Sequence, residues 1–301
     1  MKILIIKHGS LGDLVLSFGA IKTIRSVYPS SEIYLLTQSN YKKIFKKLPY
    51  VNKICVDNRV GVIPSVYNYC KILNNNNIDL VIDLQNSYRT QIYHFFTRLL
   101  SKSKILSSRK FSNILYQQKP LGIQHITQNH KEQLKKINIH KYLPPDLSWM
   151  CKKKPQKKKY VIMIPGASKT GSYKKWPSKK FAEIAKFLID KNLDVYLTGS
   201  KLDIEDINNI IKFCPSAQNK IKESKIEFFY ELCLGSRLII SNDTGPAHIA
   251  GLSNNHLIWL ANDNKISKSC YPLGKNVHKI FAQNVKDIKV EKVISKIKKI
   301  L

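Results

Sequence analysis

Short apolar runs alternate with helically spaced apolar positions along this chain. Residues 2–7 hold four consecutive apolar side chains, Ile3-Leu4-Ile5-Ile6, and predict a buried strand. Leu14, Phe18, Ile21, Ile24 and Val27 then recur at helical spacing, which predicts a helix over 14–28 that Pro29 closes. Strands are expected at 32–37, 53–56, 79–84 and 104–106, with helices over 64–73 and 91–100. Alternation of this kind implies a parallel sheet covered on both faces. Pro144-Pro145 and the run Lys152-Lys153-Lys154-Pro155-Gln156-Lys157-Lys158-Lys159 interrupt it, and a Pro- and charge-rich stretch resists burial. Beyond them the pattern restarts, with strands expected at 160–164, 193–198, 238–241 and 256–260 and helices at 177–190, 204–213 and 246–252. The tail 286–301 reads as a basic amphipathic helix with Ile288, Val290, Val293, Ile294, Ile297 and Leu301 on its apolar side. The division expected is a first domain at 1–151, a linker at 152–159, a second domain at 160–285 and a terminal helix at 286–301. No sequence repeat of fixed period is visible. Two α/β domains of similar size joined by a linker create a cleft, a common place for ligands.

Composition changes this picture in three ways. No stretch approaches the roughly 18 apolar residues that cross a bilayer, and the apolar start is too short for a signal peptide, so a cytoplasmic protein is expected. The six cysteines form no CxxC pair and stand at no zinc-ligand spacing with histidine, as scattered reduced thiols do. The 51 Lys and Arg against 20 Asp and Glu give a net charge of +31, which fits an anionic substrate, an anionic membrane surface, a nucleic acid, or a compositional bias in a Lys- and Asn-rich chain.

Candidate chemistry lies in three loops that each follow an expected strand. Gly9-Ser10-Leu11-Gly12-Asp13 allows a tight turn and close backbone approach, and Asp13 falls at the start of a helix, where it either caps that helix or acts as a base. It is not the G-x-G-x-x-G of dinucleotide binding. Pro165-Gly166-Ala167-Ser168 leads to Lys174-Lys175-Trp176-Pro177, where Ser168 and backbone amides can hold phosphate and Lys174 can neutralise it. The third is Ser241-Asn242-Asp243-Thr244-Gly245-Pro246-Ala247-His248, with amides at a helix start. An aspartic-protease reading of Asp-Thr-Gly fails for want of a second such motif in an α/β pattern, because two carboxylates must share the proton. No Walker loop, H-E-x-x-H or paired Asp-x-Asp is present, so a diphosphate leaving group has to be stabilised by side chains and amides.

Taken in order, I-K-H-G-S-L-G-D (6–13), D-L-V-I-D-L-Q-N-S-Y-R (79–89), His125, P-G-A-S…K-K-W-P (165–177) and S-N-D-T-G-P-A-H (241–248) resemble glycosyltransferase family 9, the heptosyltransferases. The resemblance implies the GT-B fold, two Rossmann-like domains facing each other across a cleft, with the acceptor on the first domain and the nucleotide sugar on the second. It also implies that the terminal helix packs back on the first domain. Position by position, it makes Asp13 the catalytic base, with Gly9, Ser10 and Gly12 forming the acceptor-side loop. Ser168, Lys174, Asp243, Thr244, Gly245 and His248 line the donor diphosphate and sugar. Asp203 holds the ribose, with Glu205 as a rival. Asp83, Gln85 and Arg89 match a recurrent segment of the acceptor side, for which packing and helix capping are an equal alternative.

The implied activity is inverting, metal-independent transfer of a heptose from an ADP-sugar to a lipopolysaccharide core or similar anionic glycolipid, at the cytoplasmic face of the inner membrane, with no cofactor. Alternatives are another nucleotide sugar, a silent sugar-nucleotide- or glycolipid-binding protein, or a nucleic-acid-binding protein suggested by charge alone. Two departures from the family stand out. Phe18-Gly19 occupies a place where many members carry Pro, and Ala261-Asn262-Asp263 follows the strand after which many carry Gly-Pro-Thr.

Overall fold

The computed structural model describes residues 1–151, 155, 159–168, 170–222 and 225–301. Most of the expected linker at 152–159 lies outside these residues. The chain divides into two compact units, Met1–Trp149 and Met150–Leu301, so the boundary falls two residues before the one expected at 151.

In the first unit the chain runs β1 (Lys2–Ile6), α1 (Leu11–Val27), β2 (Glu32–Thr37), α2 (Ser39–Phe45), β3 (Lys53–Val56), α3 (Val62–Asn76), β4 (Leu80–Asp83), α4 (Tyr88–Leu100), β5 (Lys104–Ser107), β6 (Ile114–Leu115) and α5 (Ile126–Lys135). The strands form one parallel sheet in the order β3-β2-β1-β4-β5-β6. Ile3 through Ile6 are wholly buried, as strands covered on both faces must be. Helix α1 buries eleven of its residues, and its interior Gly19 has a packing reason: a Cβ there would lie 2.8 Å from the Leu143 carbonyl oxygen. The segment over α1 is tied down by the Leu143 N–H, which donates to Thr23 Oγ1 at 2.8 Å.

The second unit runs β7 (Tyr160–Ile164), α6 (Ser178–Ile189), β8 (Asp194–Leu197), α7 (Ile204–Phe213), β9 (Gln218–Asn219), α8 (Ile226–Gly235), β10 (Leu238–Asn242), α9 (Gly245–Gly251), β11 (His256–Asn262), α10 (Lys265–Ser269), β12 (Val277–Ala282) and α11 (Val290–Lys298). Its parallel sheet has the order β12-β11-β10-β7-β8-β9. In both sheets the order reverses at the first strand of the unit, between β1 and β4 and between β7 and β10. Open α/β sheets bind ligands at the carboxyl ends of the strands flanking such a point.

The terminal helix buries Val290, Val293 and Ile297 of α11 in one cluster with Phe181, Ile184 and Leu188 of α6. The Trp176 indole N–H donates to the Ile288 carbonyl at 2.9 Å, fastening the start of the tail to the same core. The apolar spacing of 290, 293 and 297 marks a buried face without saying what covers it.

Candidate active site

At the switch point of the first sheet, β1 runs out into Lys7, His8 and the Gly9 loop. Gly9 has φ +103°, and a Cβ there would stand 2.7 Å from Asp13 Oδ2, so only glycine fits both the backbone and the neighbouring carboxylate. Asp13 is half-buried in the first turn of α1, and its Oδ2 accepts from the Ser10 N–H and the Ser10 hydroxyl, each at 2.9 Å. The capping role open in the sequence is therefore real. Both of these bonds fall on one oxygen, among the described residues. Tyr41 on α2 is a neighbour that sequence reasoning missed. Burial, and then the charge of Asp13, push its phenol above the usual range.

Behind this loop His8 Nε2 lies 3.3 Å from Asp57 Oδ2, both side chains almost fully buried. Asp57 also accepts from the Tyr93 hydroxyl, from Ser65 Oγ at 2.8 Å and from the Arg59 N–H at 2.9 Å. Burial works against the Asp57 charge, but these donors outweigh it and hold the carboxyl below the usual range. The residue next to Gly9 is thereby anchored to the end of β3. His130 on α5 is buried and held neutral, its pKa pushed down to about 3 by burial and then by Lys7 and His125. His125 itself is the N-cap of α5.

On the other side of the switch point, Asp83 has structural duties. Its Oδ1 accepts from the Gln85 and Asn86 N–H groups at 2.8 and 2.9 Å, shaping the turn into α4. Its Oδ2 lies 3.2 Å from His94 Nε2, both side chains fully buried. Arg89 Nη1 donates to the Gly61 carbonyl at 2.9 Å. Burial opposes the Asp83 charge, but His94, Thr90 and the turn amides lower its pKa. A carboxyl depressed in the folded state stabilises above its unfolded pKa of about 3.9, and that stabilisation fades as pH falls further. Asp83→Asn is expected to cost about 3 kcal/mol at pH 7, as removal of one partner of a buried pair does. The cost should shrink below about pH 4. Urea midpoints at both pH values measure this, and equal losses at both would contradict it.

In the second unit the loops after β7, β8, β10 and β11 gather at one edge of the sheet. Asn242, at the end of β10, ties that strand end to both ends of the loop after β7. Its Nδ2 donates to the Pro165 carbonyl at 2.6 Å and its Oδ1 accepts from the Trp176 N–H at 3.1 Å. Trp176 is buried beneath, edge-on to Phe181. Lys174 closes a 3-10 turn (Ser172–Lys174) and its Nζ lies 2.7 Å from Asp243 Oδ2, with the lysine side chain 22% and the aspartate 11% exposed. Burial disfavours the ammonium, but Asp243 more than compensates and raises its pKa, so Lys174 is charged at neutral pH. Ser168 is exposed on the same loop, where its carbonyl accepts from the Gly171 N–H at 2.7 Å.

Thr244 is the N-cap of α9, and His248 is buried within that helix. With seven residues, α9 has few aligned peptides, so its dipole adds little beside the charge of Lys174. Asp203 is buried, its Oδ2 accepting from the Ser200 N–H and hydroxyl at 2.8 Å each. A Cβ on Gly166 would fall 2.1 Å from Asp203 Oδ1, so the β7 loop and Asp203 are in contact across that glycine. Its rival Glu205 is exposed. Strand β11 runs through Ala261 to Asn262. The Asn262 Nδ2 donates to the Tyr173 carbonyl at 3.2 Å and its Oδ1 accepts from the Val285 N–H at 2.6 Å, bracing the turn that holds Lys174.

Comparison with known proteins agrees with this architecture. Lipopolysaccharide heptosyltransferase 2 of Escherichia coli K12 is 24% identical over 288 residues, 86% of this chain and 82% of that protein. The solved E. coli ADP-heptose lps heptosyltransferase II superposes with a TM-score of 0.79 at 21% identity, covering 100% of this chain and 98% of that one. E. coli heptosyltransferase WaaC with ADP-2-deoxy-2-fluoro heptose gives 0.79 at 17% identity, covering 99% of each chain. The fold class is GT-B, with two Rossmann-like units. The model of glycosyltransferase family 9 (heptosyltransferase) matches residues 66–298, and on that match over most of its length the chain belongs to glycosyltransferase family 9.

Proposed function

We propose that this glycosyltransferase moves a heptose from an ADP-sugar to the core of a lipopolysaccharide or a similar anionic glycolipid, with inversion at the anomeric carbon. The observation that carries the reading is the Lys174–Asp243 pair, fixed by Asn242 at the switch point of the second sheet. Family membership supports it, as does the likeness to E. coli heptosyltransferase WaaC with ADP-2-deoxy-2-fluoro heptose.

Asp13 is the base. Its oxygen not occupied by Ser10 takes the proton of the acceptor hydroxyl while that hydroxyl's oxygen bonds to the anomeric carbon. The bond from that carbon to the diphosphate oxygen breaks in the same step, and ADP departs. Lys174 and the amides of Thr244 and Gly245 stabilise the charge that develops on the leaving diphosphate. Ser168 and His248 line the same edge, and Asp203 is the candidate ribose partner. Lysine and amides supply the charge in this scheme, without a metal. The acceptor's phosphates give the excess of cations a use, in peripheral contact with the cytoplasmic face of the inner membrane. Among the described residues no helix is long and apolar enough to cross a membrane.

Calorimetric titration with ADP, UDP and GDP, with and without Mg²⁺, tests the donor. Selective ADP binding of similar strength in both buffers is expected. Preference for UDP or GDP would reassign the donor, a need for Mg²⁺ would overturn the metal-free scheme, and no nucleotide binding by folded protein would overturn the function.

A further inference from the structure

Helix α4 carries its buried side chains, Tyr93, His94 and Thr97, on one face and an unusual set on the other. Tyr88, Phe95 and Leu99 are 77%, 44% and 66% exposed and recur at helical spacing. Phe111, from the loop after β5, extends the stripe: its ring lies 5.3 Å from Phe95, edge to face, while remaining 46% exposed. At the other end Arg89 ties the helix to Gly61, whose neighbours Val60 and Ile63 are also exposed. Scattered exposed apolar residues are ordinary, but a contiguous aromatic and aliphatic stripe is not.

Charge says what covers it. From residue 84 to residue 131 the chain has eight Lys and Arg and no Asp or Glu, although acids occur on both sides at Asp83 and Glu132. Arg98 and Lys102 border Leu99, and Lys110 precedes Phe111, all three exposed. The Arg109 guanidinium lies over the Tyr88 ring at 4.8 Å. An apolar helix face with aromatics, edged by cations and free of acids, is the composition that lies in the plane of an anionic lipid surface. A protein partner recognised by the same stripe would have to be strongly acidic around an apolar groove, whereas an anionic bilayer offers both features over any area.

We infer that the outer face of α4, with Phe111, is the surface by which this protein docks on an anionic bilayer. The inference rests on the membrane contact proposed above and names where that contact is made. It places the first unit's ligand-binding edge near the headgroups, since α4 begins at the carboxyl end of β4.

The test is co-sedimentation of the full chain with vesicles of phosphatidylcholine, with or without phosphatidylglycerol. Binding is expected to the anionic vesicles only and to weaken as salt rises. The double variant Phe95→Ser/Phe111→Ser should bind them at least about tenfold more weakly, from the loss of two half-buried rings at the interface. The triple variant Arg98→Glu/Lys102→Glu/Lys110→Glu should not bind. Both should keep the parent's melting temperature and ADP titration, which checks folding. Failure of the parent to sediment, equal binding to neutral vesicles, or unchanged binding by the folded variants would overturn the docking surface. Self-association of the parent that the Phe variant abolishes would also overturn it, by making the stripe an interface between copies. ADP titration reads the donor site separately, so vesicle binding without nucleotide binding would remove the transferase function and leave the surface standing.

Discussion

Asp13→Asn is expected to lower kcat for sugar transfer by about 10²–10⁴-fold, the range a positioned general base supplies. Affinity for ADP should stay within about twofold of the parent, because less than about 0.5 kcal/mol of binding is at stake for a group on the first unit when the proposed donor residues all lie on the second. The substitution is chosen for its shape. Asp13 Oδ2 accepts two hydrogen bonds from Ser10, and the amide oxygen of asparagine can accept both. The start of α1 is therefore kept, whereas Asp13→Ala would confound chemistry with a lost cap worth about 1 kcal/mol. What asparagine lacks is a second oxygen able to take a proton. ADP release measured with a lipopolysaccharide-core acceptor, alongside calorimetric ADP binding, separates the two effects. If the Asp13→Asn variant retained a tenth or more of the parent's kcat, Asp13 would be removed from the role of base.

Lys174→Ala is expected to cut kcat/KM by about 10²–10³-fold, comparable to losing one preorganised donor to a developing anion. Two effects add. The leaving diphosphate loses a fixed positive charge, and Asp243, 2.7 Å from that ammonium in the parent, is left facing the phosphates uncompensated. The second effect should appear as weaker ADP binding as well as slower turnover. Lys174→Arg keeps the charge but not the compact geometry, so partial recovery is expected. The double variant Lys174→Ala/Asp243→Asn should recover part of the ADP affinity, because it also removes the unpaired carboxylate. Full activity in Lys174→Ala, or no recovery of affinity in the double variant, would show that the pair is a structural tie and the diphosphate is held elsewhere.

The sequence pattern and the structure part company at particular places. Strands β1 and β7 fall where continuous apolar runs predict them, since a strand buried on both faces has no polar position to disguise it. Strand β12 escapes the pattern because it is an edge strand in which the adjacent His278 and Lys279 break the apolar run. Helix α5 escapes it because its buried side chains include Asn129, His130 and Gln133, which read as a polar surface segment. Gln133 is inside because its Nε2 donates to the carbonyls of Asp83 and Leu106 at 2.8 and 3.2 Å, closing the gap below the β4 turn. The roles of Asn242 and Asn262 are invisible in the sequence for the same reason: each joins segments far apart in the chain.

By itself the sequence determined the α/β class, the two units, the three glycine-containing loops at strand ends and the family they resemble. All of these are local properties, set by side-chain period, by turn chemistry and by the order of motifs along the chain. Only the tertiary structure decided that Lys174 meets Asp243 and that Asp203 lies against Gly166. It alone placed Asp83 in a buried pair with His94, and the buried face of the last helix against α6. The physical reason is that an apolar or charged side chain shows that it needs a partner but not which partner. That choice depends on sheet order, which brings residues 69 positions apart to one edge, and on the burial that makes a wrong pairing costly.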